Sequence, residues 1–200
     1  MENTMQFLMA DGTMVTTQVF PNSTRGQQGR LELALKRFLE QGDMIVGFET
    51  EWSFDAEEAQ VCSLKLCTRD SCLIIPLISR YYHRLLRKFF ANKDIVFAGV
   101  HIKKDLEKME KQHRLEIRNA VELSEKAAKV YESPCVSAYG VKDLVRTVLS
   151  RHCHTFSMSE SPPQVDYHQE AETLDEKKKM EHATAVAYAI YKTAKILLNL

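Results

Sequence analysis

Two glutamates one residue apart, Glu49 and Glu51, lie in a stretch otherwise typical of a buried β-strand, "DMIVGFETEW" at residues 43–52. Acidic residues are depleted from strands, and a buried carboxylate is unfavourable unless it is paired or bound to a cation. Side chains two apart on a strand point to the same face, so these carboxylates would repel each other. The pair therefore predicts either an exposed strand end or a divalent-cation site of the kind that cleaves phosphodiesters, with cations about 4 Å apart.

A third acidic residue, Asp105, follows a strand that runs into a helix within "FAGVHIKKDLEKM" at residues 97–109. The helix dipole favours an acid in the first helical turn, so Asp105 alone does not distinguish a metal ligand from an ordinary helix start. Lys103 and Lys104 precede it directly. We interpret them either as solvated lysines or as part of a phosphate-binding rim beside the acids.

The order of predicted elements indicates an α/β fold. A hairpin around Asp11-Gly12 comes first, and three strands with short, antiparallel connections follow at 43–52, 60–68 and 71–78. Helices and strands then alternate, and a long helix covers residues 175–198 after a polar loop at about 152–174. The sequence thus predicts a sheet with helices against it, and the strand order stays open.

Composition excludes several classes of protein. The 200 residues suffice for one domain, and 27 basic residues balance 27 acidic ones, which argues against bulk electrostatic coating of nucleic acid. No apolar run approaches the roughly 18 residues of a spanning helix, and the first residues do not resemble a secretory signal. Five cysteines without a CxxC pair indicate reduced thiols. We therefore expect a protein of the cytoplasm or nucleus, without a membrane association.

Four segments carry a family resemblance: "VGFETEW", "CSLKLCTRDSCLIIPL", "FAGVHIKKDLEKM" and "EIRNAVEL". Their order and spacing, over about residues 43–151, resemble the Werner-type DEDD (DnaQ-like) 3′–5′ exonuclease domain of the ribonuclease H-like superfamily. The hairpin and "KLCTRDSCL" are most similar to small single-domain plant members. The resemblance implies a mixed five-stranded sheet with helices on both faces plus an N-terminal β-hairpin. It implies a single domain, with hairpin and loop at 1–29 and the core at 30–200.

The resemblance also assigns candidate catalytic residues. Glu49 and Glu51 match the family's Asp-x-Glu motif, Asp105 matches its second-motif Asp, and His182 and Val186 fall on the Tyr-x-x-x-Asp motif of the last helix. It thus implies Glu49, Glu51 and Asp105 as ligands of Mg²⁺ or Mn²⁺, and His182 as a residue that positions or deprotonates water. Glu in place of the first Asp moves the carboxylate outward, and Val186 cannot bind a metal.

Further residues beside this motif are candidates for contacting nucleic acid. They are Thr50, Trp52, Lys103 and Lys104. An aromatic ring beside such a site can stack on a terminal base, although Trp52 also suits the core.

Two functions follow from this pattern. One is a metal-dependent 3′–5′ exonuclease acting on single-stranded RNA or DNA 3′ ends, with activity weakened by Val186. The other is a catalytically inactive descendant that binds nucleic acid or forms an oligomeric scaffold. The resemblance further implies a homo-oligomer, with hexameric rings among the forms such proteins adopt.

Overall fold

A mixed β-sheet of seven strands is covered by six α-helices in the residues that the computed structural model describes, namely 4–21, 27–40, 44–54, 59–77, 80–152 and 176–199. The strands are β1 (Thr4–Leu8), β2 (Met14–Val19), β3 (Ile45–Ser53), β4 (Gln60–Cys67), β5 (Ser71–Pro76), β6 (Val96–Gly99) and β7 (Ala120–Glu122). The helices are α1 (Gln28–Glu40), α2 (His83–Phe90), α3 (Lys103–His113), α4 (Leu123–Val130), α5 (Val141–His152) and α6 (Glu176–Leu198). Short 3₁₀ helices span Arg80–Tyr82 and Pro134–Ala138.

The strand order across the sheet is β1-β2-β5-β4-β3-β6-β7. Strands β3, β4 and β5 pair antiparallel, as their short connections predict, whereas β6 and β7 extend the sheet parallel to β3. The N-terminal hairpin adds two further strands, because β2 pairs in parallel with β5. Five core strands and a hairpin are therefore confirmed, and the hairpin belongs to the same sheet.

The two faces of the sheet bury different sets of side chains. One face forms the larger core with helices α1, α2 and α3, and Phe38, Phe48, Leu66 and Phe97 are 2% exposed or less within it. The other face is covered by α4, α5 and α6. Helices thus lie on both faces, as the sequence predicts.

A β-bulge interrupts the pairing of β3 with β4. Glu51 pairs with Ser63, but Trp52 pairs with Val61, so Cys62 is an extra residue in β4. The alternation of residues along 60–68 predicts Val61, Ser63, Lys65 and Cys67 on one face of the strand. That prediction is wrong for Val61, at the end where the bulge lies. Val61 instead lies in the larger core, because the bulge shifts the facing of the residues before it.

Helix α6 lies unusually close to β3 at Gly47. A Cβ atom at this position would lie 2.6 Å from the carbonyl oxygen of Ala187 and 2.8 Å from the backbone nitrogen of Tyr191. Only glycine permits this approach, since real Cβ atoms do not come within 3.0 Å of such neighbours. Gly47 therefore fixes which face of β3 the helix covers and at what distance.

The N-terminal hairpin, which belongs to the same sheet, also binds α6. At the hairpin turn, Asp11 accepts a hydrogen bond from the Tyr188 hydroxyl at 2.9 Å and forms an ion pair with Lys192 at 3.1 Å. Within the interface, the hydroxyls of Thr17 and Thr184 are 2.7 Å apart and buried. Helix α6 is thus bound both by the hairpin and by the central strand β3 of the same sheet.

The predicted polar loop at about 152–174 falls almost entirely outside the described residues. In the part of the chain that is described, no helix is long and apolar enough to cross a membrane.

Candidate active site

Glu49 lies on the face of β3 that α6 covers, because it is two residues beyond Gly47. Its cross-strand neighbour on β4 is Lys65, whose Nζ lies 3.2 Å from Oε2 of Glu49. This oxygen is buried and has no hydrogen-bond partner in the described structure beyond that ion pair. Burial raises the pKa of Glu49, the Lys65 ammonium opposes that rise, and the charges of Glu51 and Asp105 add to it.

Glu51 is the more accessible member of the pair. Its side chain accepts a hydrogen bond from the Ser63 hydroxyl at 2.8 Å across the β3–β4 ladder, and the residue is exposed. The two glutamates share a face, as the spacing predicts, and each has its own partner on β4.

Asp105 is half-buried at the start of α3. The Trp52 indole N–H donates to its Oδ1 at 2.8 Å and also lies 3.1 Å from the Thr50 hydroxyl. Burial raises the pKa of Asp105, and hydrogen bonds from Thr50 and Trp52 act against that rise. Residues that point away from the Glu49 face of β3 therefore hold the third acid.

Thr50 and Trp52 consequently have a structural role. The Trp52 ring packs on the larger core while its N–H orients Asp105, so this ring is only partly accessible. Phe54, just beyond the end of β3, is 77% exposed. Among the described residues at this end of β3 it is an exposed aromatic side chain that could stack on a base. We did not predict it from sequence, although an aromatic residue directly after an acidic strand was a visible signal.

A carboxylate that sequence reasoning missed, Glu122, fixes the approach to α3. Its two oxygens accept hydrogen bonds from the backbone N–H groups of His101 at 2.9 Å and Ile102 at 2.8 Å. His101 adopts a left-handed backbone conformation, with φ of 58°. Glu122 stabilises this unusual turn and so positions the helix that carries Asp105.

The two lysines before Asp105 differ in their surroundings. Both are exposed, but only Lys103 has a described ion pair, with Glu125 of α4. Lys103 is therefore engaged with a neighbouring helix, and Lys104 is the better placed of the two to reach a phosphate.

His182 lies near Lys65, on the N-terminal half of α6. Burial lowers the pKa of His182, and the positive charge of Lys65 lowers it further, so the neutral imidazole is favoured at pH 7. Val186, one turn along, packs against the apolar cluster between the sheet and helices α4 to α6. The motif position that would supply a fourth acid in the resembled family therefore contributes to the core.

The acids do not converge as a two-metal site requires. Glu49 faces a lysine, Asp105 is held by Thr50 and Trp52, and Val186 is apolar. Over the described ranges, no three His, Cys, Asp or Glu side chains are grouped closely enough to hold a metal ion. The residues present thus do not fit the complete metal centre that the sequence resemblance implies.

Comparison with known proteins defines the class. A family model described as 3′–5′ exonuclease matches residues 27–195, so the chain belongs to the 3′–5′ exonuclease family, whose members are hydrolases acting on phosphodiester bonds. Among curated proteins it is 29% identical over 150 residues to the RISC-interacting clearing 3′–5′ exoribonuclease 1 of Arabidopsis thaliana, covering 72% of this chain and 75% of that protein.

Solved structures confirm the fold. The exonuclease domain of Nibbler from Aedes aegypti superimposes with a TM-score of 0.61 at 13% identity, covering 96% of this chain and 93% of that chain. RNase D from Trypanosoma brucei gives a TM-score of 0.62 at 10% identity, covering 91% of this chain and 64% of that chain. The predicted ribonuclease H-like, DnaQ-like fold is confirmed.

Proposed function

We propose that this protein binds the 3′ end of a single-stranded nucleic acid at the edge of the sheet formed by the ends of β3 and α6, with hydrolysis weak or lost. The observation that carries the proposal is the ion pair between Lys65 and Glu49 on the site face. The family membership supplies the expectation of a 3′ end as ligand. The Arabidopsis relative is named an exoribonuclease, so RNA is the first strand to test.

Two exposed side chains could contact a nucleic-acid strand bound along this edge of the sheet. The Phe54 ring can stack on a base, an interaction that contributes about 1–3 kcal/mol per base and tolerates any sequence. Lys104 is exposed next to Asp105 and carries the charge that a backbone phosphate needs.

Weak hydrolysis follows from the geometry of the acids. Glu49 carries an extra methylene relative to the motif's Asp, and a misplacement of about 1 Å can lower a rate by on the order of 100-fold. Val186 offers no oxygen where the resembled motif has a carboxylate. Both changes leave the fold intact, so binding can persist without efficient cleavage.

A second candidate is a metal-dependent exonuclease of low activity. Glu51 is exposed and Asp105 is retained, and these are the acids best able to hold a single Mg²⁺ or Mn²⁺. The hydrogen bond from Ser63 occupies only part of the acceptor capacity of Glu51.

The experiment combines binding and cleavage on 3′- and 5′-labelled single strands of RNA and DNA, with Mg²⁺, Mn²⁺ or EDTA. We expect binding that survives EDTA and weakens about tenfold or more in Phe54→Ala. Leu33→Ala, which truncates another exposed apolar side chain on α1, should bind as wild type.

The cleavage arm separates the two candidates. A metal-dependent ladder from the 3′ end, lost in Glu51→Gln, would establish the exonuclease. If the protein neither binds nor cleaves any of these nucleic acids, both candidate functions are refuted.

We also propose self-association. Strand β1 lies at an edge of the sheet, and Met5, Leu8 and Met14 are exposed there. Light scattering should report a closed oligomer. A particle of 23.0 kDa at micromolar concentration would contradict this. The hexameric ring, the relation to plant proteins, and the cytoplasmic or nuclear location remain predictions.

A further inference from the structure

The charge balance at Glu49 is unusual for a family that holds divalent cations. Lys65 and Glu49 are direct cross-strand partners on β4 and β3, and their ion pair is largely sheltered, with 13% and 25% of the side chains exposed. Surface ion pairs contribute little, but a sheltered carboxylate requires a positive partner.

In this site the positive partner of Glu49 is Lys65. Oε2 of Glu49 is buried, and the Lys65 ammonium 3.2 Å away is the cation paired with it. Ser63, the polar neighbour two residues before Lys65 on β4, donates its hydroxyl to Glu51 instead.

We propose that the Lys65 ammonium takes the place of a divalent cation at Glu49, so that the site is charge-balanced without metal and excludes a cation from this carboxylate. A cation bound by Glu49 would lie within a few ångströms of the ammonium, and two positive charges at that distance repel strongly in a sheltered site. This inference deepens the proposed function, because it gives a physical reason for binding without efficient hydrolysis.

The test measures Mn²⁺ binding directly, by the electron paramagnetic resonance signal of free Mn²⁺, on the whole chain without nucleic acid. We expect Lys65→Gln to lower the Kd for Mn²⁺ by at least about tenfold, because a positive charge beside the site is removed. Lys65→Arg, which keeps the charge, should bind as weakly as wild type. Lys36→Gln breaks a Lys–Glu pair on the surface of α1 and should leave Mn²⁺ binding unchanged.

Wild-type Mn²⁺ affinity equal to that of Lys65→Gln would overturn the proposal, as would equal gains in the Gln and Arg variants. A second variant covers the case in which Lys65→Gln does not fold, as judged by circular dichroism. The double variant Lys65→Gln/Glu49→Gln keeps the net charge of the site and should bind Mn²⁺ as wild type does. A loss of tenfold or more in the double variant would show that Glu49 already binds metal. Binding of nucleic acid is measured in a separate assay, so failure of the proposed function and failure of this inference are distinguishable.

Discussion

Replacing Gly47 by alanine tests the contact that brings α6 onto the site face of β3. The added Cβ would lie 2.6 Å from the Ala187 carbonyl oxygen, whereas ordinary contacts begin at 3.4 Å, so the helix must move by about 0.8 Å, the difference between the two distances. The atoms in the way are two backbone atoms and the Cβ of Tyr191, whose position the backbone fixes, so no side-chain rotation relieves the overlap. The hairpin also binds α6, which opposes a shift of the helix. Overpacking of this kind costs about 1–3 kcal/mol.

Thermal and urea denaturation measure the effect. For a chain of this length, about 1–3 kcal/mol corresponds to a melting temperature lower by about 2–12 °C. The matched control is Gly29→Ala in α1, where an added Cβ meets nothing within 4 Å. Alanine is the better helix former there, so the control should gain up to about 1 kcal/mol. Equal melting temperatures for wild type and Gly47→Ala would refute the close approach of α6 to β3.

Two further predictions concern carboxylates. Burial raises the pKa of Asp11, but hydrogen bonds from Tyr188, Thr13 and Lys192 together lower it by more, so the stabilisation by ionised Asp11 is present above the unfolded pKa of about 3.9 and is lost as pH falls through the folded pKa. Asp11→Asn should therefore lower the free energy of unfolding by about 1–2 kcal/mol at pH 7 and by little in acid. A loss of stability that is the same at every pH in urea titrations would contradict this. Trp52→Phe keeps an aromatic ring but removes the donor to Asp105, and should cost about 1.5–3 kcal/mol; if the loss is as large in an Asp105→Ala background, the hydrogen bond is not its cause.

The fold could be predicted because its signals are local. The run from Met44 to Trp52 has the composition of a central strand, and the spacing of Leu31, Leu35 and Phe38 predicts the buried stripe of α1. The same spacing also predicts Leu39 on the stripe, but Leu39 is 39% exposed, and the buried side of α1 includes Ala34 instead. The parallel pairing of β2 with β5 had no local signal, since it depends on contacts between residues far apart in sequence.

The site was predicted only in part, and register is the reason. Alternation placed Lys65 on one face of β4, but which residue of β3 it faces depends on how the two strands align. The bulge at Cys62 could not be read from composition, so the predicted facing of Val61 was wrong. The partners of Asp105 were missed for a similar reason, because Trp52 meets it only after α3 has packed on the sheet.

The hydrogen bonds between the N-terminal hairpin and α6 have a consequence for how the site is assembled during folding. Thr17 and Thr184 are separated by 167 residues, and Asp11 and Tyr188 by 177. Contacts of such high sequence separation form late, after the loop-closure entropy has been overcome. Before they form, the sheet face that bears Gly47, Glu49 and Lys65 lacks its covering helix, and the carboxylate and ammonium are both hydrated. Their pairing in a sheltered environment is therefore a late event, coupled to the same docking step that brings His182 to the site.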